Sequence, residues 1–325
     1  MLIKHLIHMN HSLTEITTRR FFKVLLSPLG ASVVEIKHEN NMLNMVPASL
    51  NDFFKPGMYY GKTIGRVAGR IKNGRASING RDYFIAMNEG VNALHGGYFG
   101  LSDCLFKEHI EQFNDRVEVT YSYKSMDLES GFPGNLDVNI KYTIFEDESV
   151  LLVEFVATSD KDTIVNLTNH LFFTLGEENI DNLKLTMNAE KYVFPDDKDF
   201  CPLKINDVED EMFDFRNGLR LSEYVNDERL TGVKAGGYDH QFIIEKENDH
   251  LLRLEGNKYL LDISSSYDAC IVYSDNIVDN IKVKHTEQPN RRSIALEPQK
   301  NQLGDISLKA YDVYKHFIKY EFKRK

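Results

Sequence analysis

Apolar and polar residues alternate along much of this chain with a period of two. In RVEVTYSYK, Val117, Val119, Tyr121 and Tyr123 fall on one side and polar residues on the other. The same alternation runs through Leu136, Val138, Ile140, Tyr142 and Ile144 in NLDVNIKYTIF, and through Ile318, Tyr320 and Phe322 near the C-terminus. Successive side chains of a strand point to opposite faces, so each pattern predicts a strand with one buried face. Turn signals lie between the patterns: Asn73-Gly74, Asn79-Gly80, Pro133-Gly134 and Gly236-Gly237. Helical spacing is scarce, and residues 218–230 are the stretch that reads as a short helix. Linkers, low-complexity tracts and long repeats are absent. The expectation is an all-β chain, one large antiparallel domain over 1–325 built from two sheets packed face to face, with 1–20 as an N-terminal extension.

One stretch does not fit a plain buried strand. VNLTNHLFFTL, residues 165–175, has the β-branched and aromatic content of a strand, yet places Asn166, Thr168 and His170 on one side and Asn169 on the other. An unpaired buried polar group costs roughly 1–3 kcal/mol, so such a row needs partners or a purpose. Four further segments set polar residues and glycine among apolar flanks: GRVAGRI with Arg70, NALHGG with His95, GYDHQF with Asp239, and IALEPQ with Glu297. Each has a structural reading. Arg70 reads as a surface arginine, His95 as a turn residue, Asp239 as a turn cap, His170 as a satisfied core histidine and Glu297 as half of an ion pair. In IALEPQ, Ile294, Leu296 and Pro298 share one strand face, and Ala295, Glu297 and Gln299 the other. The functional reading gathers all five into one concave site. Carboxylates, imidazoles and a guanidinium fork suit a neutral polyhydroxylated ligand. One carboxylate plus one imidazole is the minimum for paired acid–base chemistry.

Composition narrows the classes. The chain has 325 residues, 42% of them hydrophobic, and a net charge of −10. That supports a sizeable core and argues against nucleic-acid backbones and anionic membranes as partners. Cys104, Cys201 and Cys270 are odd in number and far apart, which points to free thiols in a reducing compartment. The opening MLIKHLIHMNHSL is interrupted by lysine and histidine and lacks a signal-peptide core, so a cytoplasmic protein is expected. His5, His8 and His11 lie in a segment that reads as irregular, with no acidic partner nearby, and no metal site is expected there. The Asn166-Leu-Thr168 sequon is expected to be idle.

The ordered set GRVAGRI, NALHGG, GFPGNLDVNIKYT, NLTNH, GYDHQF and ALEPQ resembles the aldose 1-epimerase (galactose mutarotase) family, from about Phe21 to the C-terminus. The resemblance implies a galactose mutarotase-like β-supersandwich. It also implies interconversion of the α and β anomers of an aldohexose such as galactose or glucose, by ring opening and closure. It assigns His170 as general acid and Glu297 as general base, with Arg70, His95 and Asp239 binding the sugar. It implies no cofactor, no metal, no nucleic-acid or membrane partner, and a monomer or homodimer. Departures from the family pattern are Gly69 where many members have Asn, Ile271 where many have Gln, Phe172 where Tyr is frequent, and QKNQLGDIS in place of a Pro-containing segment. Activity near pH 7 with Glu297 ionised and His170 protonated would require the histidine pKa to be raised by a nearby carboxylate. Two alternatives stand beside this reading: a glycosidase using Asp239 and Glu297 as its carboxylate pair, and a sugar-binding module without catalysis.

Overall fold

The computed structural model describes residues 1–196, 198–231, 236–245, 249–278 and 280–325. Among these, strands dominate, and the α-helices Leu50–Phe53 and Glu228–Thr231 are single turns. The helix expected over 218–230 is therefore mostly something else: a two-residue strand, a 3₁₀ turn at Leu221–Glu223 and that last turn. Asp227 caps the Arg229 N–H and also holds its guanidinium, which is side-chain chemistry of a turn rather than of an amphipathic helix.

Three antiparallel sheets carry most of the described chain. The nine-stranded sheet runs in the order Lys107–Gln112, Arg116–Ser125, Leu136–Phe145, Val150–Ser159, Val313–Arg324, Tyr259–Ser265, His250–Glu255, Lys184–Met187, Leu219–Arg220. Its middle strands are those with the clearest alternation, and Val119, Tyr121, Ile140, Tyr142, Ile318 and Tyr320 are all buried. A six-stranded sheet runs Phe172–Phe173, Ile294–Gln299, Ala269–Tyr273, Asp239–Ile244, Ala189–Pro195, Pro202–Asp207. Ile294 and Leu296, with Cys270, Val272 and Phe242, share one apolar core with the buried face of the nine-stranded sheet. One face of the six-stranded sheet is thus used up as core, leaving the alternate residues for something else.

The first residues are not irregular. Leu2–His8 and His11–Thr17 form a hairpin in register Leu2 with Thr17, and join Phe22–Ser27 in a five-stranded sheet. Leu13 and Ile16 are buried on its two faces, in separate apolar clusters. His8 binds the Asn51 side chain at 2.8 Å and His11 stacks on Phe54, so these histidines are occupied by neighbours within the fold.

The 165–175 stretch is two short ladders rather than one strand. Thr168–Asn169 pairs with Thr63–Ile64, and Phe172–Phe173 pairs with Ile294–Gln299. The chain crosses from one ladder to the other at His170, whose backbone is clamped by Gly61 N–H to its carbonyl (2.8 Å) and by its own N–H to the Lys62 carbonyl (2.9 Å). The polar row satisfies this crossing. Asn166 donates to the Lys300 carbonyl (3.2 Å) and accepts from the Lys300 N–H (2.9 Å), Thr168 donates to the Pro298 carbonyl (2.7 Å), and Asn169 donates to the Gly61 carbonyl and Tyr142 hydroxyl. Asn166 is fully buried, so its sequon is inaccessible in the folded chain.

Asn166→Ala removes a side chain that stands in for a strand partner and leaves the Lys300 N–H unpaired, while the Lys300 carbonyl keeps the Gln241 amide. At about 1–3 kcal/mol for one buried unpaired group, the expected loss is roughly 1–3 kcal/mol in urea unfolding. A loss below about 1 kcal/mol would show that solvent replaces the carboxamide.

Candidate active site

The register of the six-stranded sheet builds one wall of a cavity. Val193, Gln241, Ile271 and Glu297 are successive cross-strand partners, and Asp239, Tyr273, Ala295 and Phe172 form the next such row. The rows lie two residues apart, so both project from the same face, the one not spent on the core. All of these but Ala295 line a cavity of about 760 Å³. The facing wall comes from short ladders and turns. Arg70–Ile71 pairs with Ala93–Leu94, which brings Arg70 beside His95, and the crossing segment delivers His170. The structure therefore places all five candidates, Arg70, His95, His170, Asp239 and Glu297, around one cavity.

Two glycines set these approaches. Gly96 has φ +91, and a Cβ there would sit 2.0 Å from the Gly65 carbonyl oxygen. Gly69 has φ +81, and its Cβ would meet the Gln302 amide nitrogen at 1.7 Å. Gly69 in place of Asn and the altered QKNQLGDIS segment are thus one packing event, because the Gln302 side chain occupies the space next to residue 69.

His170 Nε2 lies 3.2 Å from Glu297 Oε1, with both side chains buried. Burial pushes the Glu297 carboxyl up to about 8; the Asp239 charge adds to this and Arg70 opposes it. Burial pushes His170 down to about 4. The expectation of a raised histidine is corrected: removal from water disfavours the imidazolium and sets the direction, outweighing the hydrogen bonding that favours it. Between those limits the pair holds one proton. Among the described residues His170 Nδ1 has no hydrogen-bond partner, and Phe172 stacks on the ring at 4.9 Å. Phe172 supplies apolar wall, whereas Phe173 packs into the core against Tyr320. The neighbouring Asn and Thr side chains hold the crossing and do not orient the ring.

His95 accepts the Gly69 N–H at Nδ1 (3.2 Å), so the neutral ring carries its proton on Nε2 and donates there. Burial, then the neighbouring His170 and Arg70, keep it well below the usual histidine range. Its ring meets His170 edge-on at 5.3 Å and Tyr59 at 4.7 Å. Arg70 is gripped by Glu89 through Nε (2.6 Å) and Nη2 (2.9 Å), and its Nη1 lies 3.6 Å from Asp239 Oδ2. Burial raises the Asp239 carboxyl, against the pull of Arg70.

Sequence reasoning missed Tyr59, Glu89, Phe200 and Gln302, all of which line the cavity. They sit in turns and short connections, where neither periodicity nor motif spacing marks a position. The pair Tyr59-Tyr60 ahead of GRVAGRI and the acidic residue in NEGVNALHGG were the available signals. Ile271, singled out as a departure, does face the cavity directly beside Glu297. Among the described residues no cluster of histidine, cysteine and carboxylates has metal-binding geometry, and no helix is long and apolar enough to cross a membrane.

Comparison with known proteins agrees across sequence and structure. The family model described as aldose 1-epimerase matches residues 12–321. A galactose mutarotase from Rattus norvegicus is 30% identical over 292 residues, covering 85% of this chain and 82% of its own length. An aldose 1-epimerase from Escherichia coli is 32% identical over 251 residues, covering 74% and 70%. A solved structure described as galactose 1-epimerase from Lactobacillus acidophilus superposes with a TM-score of 0.88 at 25% identity, covering 99% of both chains. An aldose epimerase homologue from C. elegans gives 0.86 at 29% identity, over 97% of this chain and 99% of its own. With a family match over nearly its whole length, and with relatives alike in sequence and in fold, this chain belongs to the aldose 1-epimerase family.

Proposed function

We propose that the chain acts as one unit over its whole length to interconvert the α and β anomers of an aldohexose such as galactose or glucose. The observation that carries this reading is the buried His170–Glu297 contact at 3.2 Å, which holds one proton on the floor of a sugar-sized cavity. Mutarotation takes a proton from the C1 hydroxyl and places one on the ring oxygen. The C1–O5 bond breaks, the open aldehyde rotates about C1–C2, and the ring closes on its other face. Glu297 takes the C1 hydroxyl proton and His170 delivers one to the ring oxygen; closure reverses both transfers. The pair carries one proton before opening and one after it. The reactive arrangement has that proton on His170, one short transfer from the resting arrangement with it on Glu297. Arg70 and His95 Nε2 donate to the ring oxygen and neighbouring hydroxyls, and Asp239 accepts from hydroxyls further round. Phe172 and Tyr273 offer faces for the carbon side of the sugar. The three free thiols fit a reducing cytoplasm.

The direct test follows fresh α-galactose or α-glucose by polarimetry or proton NMR with and without protein. Faster relaxation is expected; an unchanged rate would indicate a binding module, and reducing sugar released from an aryl glycoside would indicate a glycosidase.

Glu297→Gln and His170→Asn are each expected to lower kcat by about 10²–10⁴ with a smaller change in KM. The double variant should lose far less than the product of the two factors, since acid and base serve one cycle. Strict multiplicativity would separate them. The pH dependence follows from the one-proton pair. Below about 4 the pair gains a second proton at His170, which blocks the base. Above about 8 it loses its only proton, which removes the acid. The expected kcat/KM profile is a broad plateau between these limits, with limbs that belong to the pair. In His170→Asn the alkaline limb should vanish; a limb that stays would assign the acid to another group, His95 first. Ile271 adds apolar surface beside the base, and Gln241 next to it is committed to the Gln302 N–H and Lys300 carbonyl. Ile271→Gln should therefore lower KM for galactose or glucose about three- to tenfold, the worth of one neutral hydrogen bond. Equal KM values would mean that residue 271 touches no sugar hydroxyl.

A further inference from the structure

Arg70 lies between two carboxylates but is not shared equally. Glu89 takes both of its short hydrogen bonds, 2.6 and 2.9 Å, whereas Asp239 remains at 3.6 Å, beyond hydrogen-bond distance. A guanidinium and a carboxylate so close, in surroundings poor in water, attract strongly and would close into a two-bond fork if both were free to move. Asp239 is fixed on its strand, opposite Tyr273. Glu89 is fixed as well. Its turn is closed by reciprocal backbone bonds with Asn92 (2.9 and 3.1 Å), and the Asn88 carboxamide binds both backbone groups of Leu94 (2.7 and 3.0 Å). Asn92 in turn reaches the Asn73 N–H and the Asp199 carbonyl. The Phe200 ring lies 5.2 Å from the guanidinium carbon and covers its face, but a stacked ring resists sliding in plane only weakly. The restraint along the Arg70–Asp239 line comes from Glu89.

We propose that Glu89 is a positioning residue whose hold on Arg70 keeps Asp239 from closing onto the guanidinium, so that both remain available to sugar hydroxyls. The proposal rests on the sugar-binding reading of the site. Without Glu89, Arg70 Nη1 would move the last fraction of an ångström onto Asp239, and each would satisfy the other instead of the ligand. The electrostatics change with it. One guanidinium between two carboxylates leaves the cluster with an excess negative charge, and Asp239 presents that charge to Glu297. Glu297 is otherwise faced by His170, Arg70, the Cys270 thiol and the Tyr320 hydroxyl. Closure of Arg70 onto Asp239 would neutralise that charge and make the Glu297 proton easier to lose.

The test compares wild type, Glu89→Ala, Glu89→Gln, Asp239→Asn and the Glu89→Ala/Asp239→Asn double variant. Galactose is the probe, with kcat and KM from mutarotation and Kd from ligand-observed NMR. Glu89→Ala should raise KM and Kd about tenfold or more, a larger factor than its effect on kcat. Glu89→Gln, which keeps the shape and one acceptor, should fall between it and wild type. In the Asp239→Asn background the same Glu89→Ala change should raise KM less than about threefold, because an amide offers Arg70 no charge to close on. The alkaline limb of kcat/KM should move to lower pH in Glu89→Ala, a shift that a merely structural role would not produce. Unchanged KM in both single variants, multiplicative effects in the double, or an alkaline limb that stays in place would each overturn the proposal. If Glu89→Ala does not fold, Glu89→Gln is read by the same criteria. A wild type that binds galactose without speeding its mutarotation would overturn the proposed function, and the Kd comparison would still judge Glu89.

Discussion

Two ionisable groups 3.2 Å apart in a site largely cut off from water set the terms for the rest of this molecule. Neither His170 nor Glu297 can carry a lone charge cheaply there. The pair therefore settles on a single shared proton, with the carboxyl raised and the imidazole lowered by the same burial. That stoichiometry suits a reaction that consumes one proton and returns one at each turn. It also demands precision, since a proton moves only between groups held within hydrogen-bond distance.

The fold supplies that precision from two directions. Glu297 is placed by a strand whose opposite face, Ile294 and Leu296, is locked into the main core. His170 is placed by a crossing between two ladders, with backbone bonds on both sides and the Asn166, Thr168 and Asn169 side chains tying the crossing down. Buried polar groups that find partners in this way favour one arrangement. Around the pair, charges are arranged in compensating sets. Arg70 is split between Glu89 and Asp239. Further round, Arg292 is bound through two nitrogens to Asp275 where that residue meets the cavity. The wall between Glu297 and Tyr273 is apolar at Ile271, which makes this part of the site less hydrogen-bonding than the glutamine frequent in the family would.

Departures from the family pattern that look independent along the chain are coupled in space. Gly69 and Gln302 are more than two hundred residues apart, yet the side chain of one fills the space that any Cβ on the other would need. Gln302 also donates its backbone N–H to Gln241, the neighbour of Ile271. The changes at 69, 271 and 302 thus lie along one connected part of the cavity wall, which reaches Glu297 at Ile271.

Much of this was legible in the chain itself. Period-two patterning marked the central strands of the nine-stranded sheet, because a half-buried strand leaves its signature in every second residue. Five of the six ordered motifs marked the five cavity residues, because each of those five pairs a polar or charged side chain with the glycine or apolar neighbours of its local backbone. Other features depended on distance and dielectric, which no spacing encodes. The hairpin at 2–17 read as irregular because its outer strand is exposed on both faces and so carries no alternation. The 165–175 stretch read as a single strand because its change of partner at His170 is decided by other segments. Glu89 was silent because an acidic residue in a turn looks the same whether it meets water or an arginine. The direction of the His170 shift was misjudged for the same reason: sequence counts the charges nearby, but only the folded chain decides how much water is left between them.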